Sequence, residues 1–157
     1  MTDFVTVLRY GQPVQVPRAE IYPTPSLEVR KASMLAEVKN HVDALLAVGS
    51  PVVFGETMLH VALDAGARAD LTAMAATAMG AANGALPWPE SYQRGWITVE
   101  NIRIPLPTPP DGLMLAAGVG DRYAQIVQRG RDLKDAVIAA GEDDALDAIS
   151  IEDGWPT

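Results

Sequence analysis

The chain contains no cysteine, which removes thiol nucleophiles, zinc–thiolate sites and iron–sulfur clusters from consideration. The same absence argues against a small secreted domain stapled by disulfides. Histidine is nearly as scarce, with only His41 and His60. Basic residues are few: 12 lysines and arginines stand against 20 acidic residues, for a net charge of -8. No basic stripe is visible, so a nucleic-acid partner is not expected, and the acidic balance favours solubility. No apolar run reaches the roughly 18 residues of a membrane span. The opening Met1-Thr2-Asp3-Phe4 lacks the basic and apolar regions of a signal peptide, so a protein made and soluble in the cytoplasm is expected.

What is present is enough for one domain. The 157 residues, 48% of them hydrophobic, can bury a core without a metal or disulfide. Residues 1–25 read as an extended arm. Phe4, Val5, Val7 and Leu8 suggest a strand, Gly11-Gln12-Pro13 a turn, and Val14-Gln15-Val16 a second alternation. Pro17, Pro23 and Pro25 argue against helix there. Such an arm cannot make its own core, so Phe4, Val5, Val7, Leu8, Tyr10, Val14, Val16, Ile21 and Tyr22 are candidates for docking on this domain or on a neighbour.

Residues 26–157 read as an α+β domain in which two short antiparallel hairpins pack on two to three helices. Ser26 is a suitable N-cap for a helix to about Val48, whose Leu35, Val38, Val42 and Leu45 share a face. A hairpin follows with its turn at Gly55-Glu56, where glycine first suits a type II′ geometry, and Leu59, Val61 and Leu63 alternate inward. A helix over about 69–82 would bury Leu71, Met74, Ala75 and Met79. The second hairpin runs from Gly95 to Leu106 around Glu100-Asn101. The last long helix is expected from near Asp111 to about Ala140. Gly118 and Gly120 weaken its first part by roughly 1 kcal/mol each, which predicts a kink or a late start. Its Val119, Tyr123, Ile126, Leu133 and Val137 recur at heptad-like spacing. That seam packs either within the chain or between copies. A short helix over 143–149 carries acidic residues at its start, as its dipole favours.

Chemical motifs are weak. His41 and His60 have no partner at the i, i+4 spacing of helical metal sites, so no metal or other cofactor is expected. Gly118-Val119-Gly120-Asp121 lacks the third glycine of a dinucleotide fingerprint and the lysine of a P-loop. The acidic residues at 142–147 lack the ligand spacing of a calcium loop. Nothing selects a carboxylate pair for hydrolysis, and Trp88, Trp96 and Trp155 suit packing as well as a sugar platform.

An ordered set of short features carries a family resemblance over roughly residues 27–156. It begins with the helix from Arg30-Lys31 to Leu46-Ala47 and the hairpin ending at Leu63. Asp64 and Arg68-Ala69-Asp70-Leu71 then open an alanine-rich helix. Trp96-Ile97-Thr98, Glu100-Asn101 and Leu106-Pro107-Thr108 lead into the long helix with Leu133-Lys134-Asp135-Ala136-Val137. Leu146-Asp147-Ala148-Ile149 precede Trp155-Pro156. Together these resemble the DUF4376 family of tailed-phage and prophage proteins, encoded near tail-fibre genes. The resemblance implies a structural component of a phage tail, in the fibre, baseplate or tail tip, located in the virion and partnered by other tail proteins. A homo-oligomer is then expected, with a trimer favoured because tail fibres are three-fold, through Val119, Tyr123, Ile126, Leu133 and Val137. The alternatives are a tail-fibre assembly chaperone absent from the mature particle and, third, a small carboxylate-dependent hydrolase. The resemblance transfers no catalytic residues.

Overall fold

The computed structural model describes residues 3–21 and 23–156. It is an α+β structure: three separate two-stranded antiparallel sheets accompany two long helices that both pack on a third, the 31-residue helix near the C-terminal end. Among the described residues, no helix is long and apolar enough to cross a membrane.

Residues 3–21 are more ordered than an extended arm. Strand β1 (Phe4–Arg9) pairs with β2 (Gln12–Pro17). The turn falls at Tyr10-Gly11, one residue earlier than the glycine and proline predict. Both turn residues have positive φ, 54° and 77°, which is the type I′ geometry whose twist matches the strands. The described residues therefore hold three hairpins, one more than the two expected within residues 26–157. A four-residue helix, α1 (Arg18–Ile21), follows directly. The prolines do not prevent it, because Pro17 precedes the helix and Pro23 lies beyond it, so neither removes a helical hydrogen bond. Helix α1 is tied back by Arg18 to Asp3 (3.0 Å) and by Glu20 to Arg9 (3.2 Å).

Helix α2 (Leu27–Val48) is capped by Ser26, whose hydroxyl accepts from the Val29 amide. Strands β3 (Ser50–Phe54) and β4 (Thr57–Val61) form the second hairpin around Gly55-Glu56. Gly55 alone of the turn pair has positive φ, as a type II′ turn requires. Leu59, Val61 and Leu63 are buried as the alternation predicts.

Helix α3 (Ala65–Ala82) starts four residues earlier than its apolar pattern suggests. Asp64 caps it by accepting from the Ala67 amide at 3.0 Å. Leu71, Met74 and Ala78 form its buried stripe, while Met79, expected inside, is exposed. A short helix, α4 (Glu90–Gln93), occupies what reads as loop.

Strands β5 (Trp96–Ile97) and β6 (Arg103–Ile104) are shorter than the alternation implies. The cause is a competing partner: the Val99 amide donates to the His60 carbonyl on β4 (2.8 Å), and the Thr98 hydroxyl accepts from the Ile102 amide (3.3 Å). Asn101 takes the left-handed conformation expected of the turn, with φ 59°.

Helix α5 (Pro109–Ala139) is one continuous element. Pro109 and Pro110 occupy its first turn, where a missing amide costs nothing. Asp111 reaches back to accept from the Thr108 amide at 2.9 Å. The late start expected from Gly118 and Gly120 does not occur: the helix runs on from Pro109. Packing along the rest of the helix outweighs their poor propensity, and the start is well capped. A Cβ added at either glycine meets nothing within 4 Å. Replacing each by alanine is therefore expected to raise stability by about 1 kcal/mol, read as an increase in the denaturation midpoint. Helix α6 (Asp143–Asp147) is held to α2 by Arg30, which pairs with Asp143 (2.6 Å) and with Asp147. These carboxylates raise the Arg30 pKa, the Asp147 hydrogen bond contributing most.

One main core joins β4, α3, the segment at Ile104 and Leu106, and the first two-thirds of α5 through Leu115, Val119 and Ile126. A smaller one gathers Val137, Ala140 and Leu146 beneath the start of α2.

Candidate docking surface

The five residues of the heptad-like stripe lie inside the chain. Val119, Ile126, Leu133 and Val137 are buried, and Tyr123 is half-buried against the core. Helices α2 and α3 both pack on α5 and cover this face. Of the two arrangements open from sequence, the structure takes the intramolecular one. The expectation that these residues form an outer seam between copies is corrected accordingly: periodicity identifies an apolar face, and the chain's own helices occupy it.

The N-terminal hairpin has the opposite character. In an antiparallel pair, directly opposed residues share a face. Val5, Val7, Val14 and Val16 therefore lie on one side, and Phe4, Leu8, Pro13 and Pro17 on the other. Helix α1 folds over the valine side. Val16 is buried, and Val5, Val7 and Ile21 are half-covered. Phe4, Leu8 and Val14 are exposed, and Tyr10 at the tip is fully exposed. Tyr22, also expected in this surface, lies outside the described residues.

Two links that sequence reading does not find hold the body in shape. His60 and Glu100 are 40 residues apart. The Glu100 carboxylate accepts from the His60 amide at 3.0 Å and lies 2.7 Å from His60 Nδ1. These contacts clamp the second hairpin to the third. They lower the Glu100 pKa from its usual 4.5 to about 2, with the His60 amide as the largest cause. A carboxylate whose folded pKa is depressed stabilises the fold above its unfolded pKa and loses that contribution as pH falls through the folded value. The stability advantage of the native chain over Glu100→Gln is thus expected to be full at neutral pH, to shrink below about pH 4.5, and to vanish near pH 2. Paired urea denaturation curves across that range check it. The second link places the Arg68 guanidinium 4.1 Å from the centre of the Tyr123 ring, a cation–π contact between α3 and α5.

A cleft of about 510 Å³ opens between β3, the Ile104–Leu106 segment and the first half of α5. Of its two carboxylates, Asp111 is engaged in the helix cap and Asp121 accepts from Gln125 at 2.6 Å. The histidines are apart and separately occupied. His41 stacks on Trp155 with centroids 4.5 Å apart, and His60 faces Glu100. Trp88 donates to the Leu106 carbonyl at 2.9 Å and stacks on Tyr92. The acidic residues Asp143 and Asp147 serve Arg30.

The family model described as a domain of unknown function, DUF4376, matches residues 29–150. The chain belongs to the DUF4376 family. No curated protein and no solved structure matched it. The DUF4376 match spans the body from the first turn of α2 to just past α6. The hairpin β1–β2 and helix α1 lie outside it. In this DUF4376 protein, the most exposed apolar hairpin is thus attached to the family domain and is not part of the matched range.

Proposed function

We propose that this chain is a non-catalytic structural component of a bacteriophage tail, which joins a neighbouring tail protein through its N-terminal hairpin. The tail setting is supported by the sequence resemblance alone, which implies tailed-phage and prophage proteins encoded near tail-fibre genes. The docking role rests on one observation, Tyr10. A tyrosine at φ 54° sits in the left-handed region, where asparagine or glycine is accommodated with less strain. Its ring is fully exposed, so burial in the chain does not offset the strain. Strained backbone carrying an exposed aromatic is the pattern of a contact residue, and tyrosine is among the residues that dominate interface energies. Phe4 and Leu8 extend the apolar surface back along one side of the same hairpin.

The test is mass spectrometry of purified particles from the source genome. The proposal expects this chain in the particles at a fixed copy number. Abundance in the lysate with absence from the particles would overturn it and identify an assembly factor such as a chaperone instead.

A further inference from the structure

We propose that the chain self-associates through the outer edge of β1, which pairs antiparallel with β1 of a second copy in a register centred on Thr6. The inference rests on the hairpin alone and stands apart from the tail reading.

The two edges of the hairpin differ. The two-residue turn makes Arg9 and Gln12 a pair that exchanges both backbone hydrogen bonds, and the pattern then alternates. The Arg18 amide to Asp3 carbonyl bond, 2.9 Å, continues that alternation at the far end. The opposed pairs Leu8 with Pro13, Thr6 with Gln15, and Phe4 with Pro17 are therefore the ones whose backbone groups point away from the partner strand. On β2, two of those three positions are prolines, with no N–H to offer, so that edge is blunted. On β1 the outward groups belong to Phe4, Thr6 and Leu8, which all carry an N–H and a carbonyl. The sheet has two strands only, so this edge is open among the described residues.

The residues of β1 fit a copy of themselves. In an antiparallel register centred on Thr6, Phe4 meets Leu8 of the second copy and Val5 meets Val7. Asp3, paired within its own chain with Arg18, meets Arg9, paired with Glu20, so opposite charges adjoin at both ends. The outward backbone groups at 4, 6 and 8 fall opposite one another, as hydrogen-bonded pairs require. Sliding the register by two residues places Asp3 against Val7 or Arg9 against Val5, and both charge matches are lost. A twofold axis through Thr6 closes the interface on itself. It converts two marginal two-stranded ribbons into one four-stranded sheet, with the Tyr10 tips at opposite ends.

Sedimentation equilibrium of the full chain over a concentration series tests this, and a monomer–dimer equilibrium is expected. Thr6→Pro removes an outward N–H and, within the hairpin, only the Thr6–Gln15 side-chain bond, and it should weaken the dimer by roughly 100-fold. Gln15→Pro is the matched control. It acts on the opposite edge and loses the same Thr6–Gln15 side-chain bond, and should leave the dimer within roughly threefold. As a second measurement that tolerates any folding defect of the proline variants, Thr6→Cys introduces the sole thiol. It should give a disulfide-linked dimer on mild oxidation, because hydrogen-bonded antiparallel pairs place Cα atoms roughly 5.5 Å apart. Gln15→Cys should not. A chain monomeric at every concentration overturns the proposal. So does a dimer indifferent to Thr6→Pro with no Thr6→Cys cross-link, or a β1 edge filled by a different protein while the chain alone stays monomeric.

Discussion

An Ile126→Asp chain is expected to lose its cooperative fold. Ile126 is completely buried, at 0% exposure, where α5 joins the main core. Losing the side chain forfeits about 2–3 kcal/mol of apolar burial. The carboxylate adds several kcal/mol more, because it is taken out of water into an apolar surrounding. Domains of this size are stable by only about 5–15 kcal/mol in total, so the sum consumes most or all of the margin. Far-UV circular dichroism should show reduced helicity, and the thermal transition should broaden or disappear. A variant that stays fully folded and merely loses subunits would show that this stripe is an outer seam after all.

Gly130→Ala is expected to destabilise, although the same substitution at Gly118 or Gly120 stabilises. All three glycines lie in α5, so the propensity gain of about 1 kcal/mol is common to them. What differs is the space. A Cβ at Gly130 would come within 2.6 Å of Val42 Cγ2 on α2, with the Trp155 ring 3.9 Å away. Valine is stiff about χ1, so relief requires the helices to move apart. Overpacking of this kind costs about 1–3 kcal/mol, more than the propensity returns. Gly130→Val should be worse again, since its branches enter the same contact. Denaturation midpoints for the alanine series in one helix check the sign directly. A rise at Gly130 equal to that at Gly118 would mean that α2 and α5 do not cross as closely as described.

These two results bear on what sequence reading recovers. The α+β class, the cap at Ser26, the Gly55 turn and the inward set Leu59, Val61 and Leu63 are local, so they are legible in the chain. Gly130 reads only as an interruption of an apolar seam, because the reason for it is Val42, 88 residues earlier in the chain. The His60–Glu100 clamp is invisible for the same reason. The stripe on α5 was visible, but periodicity says that a face is apolar and never what covers it. The N-terminal segment was the reverse case. Its two extended stretches and the turn between them were legible, while the position of the turn and the unequal edges depend on which residues pair.

The molecule divides into a DUF4376 body that satisfies its own core and a hairpin whose tip carries a strained, exposed tyrosine. Tyr10→Asn tests that division most directly, because asparagine keeps the turn and removes only the ring. The measurement is the copy number of the chain in purified particles, native against Tyr10→Asn, with the thermal midpoint of each isolated chain alongside. A hot-spot tyrosine is worth about 2 kcal/mol or more. The account therefore predicts at least a roughly tenfold fall in incorporation, with an unchanged or slightly higher midpoint. Equal incorporation of the two chains would contradict it.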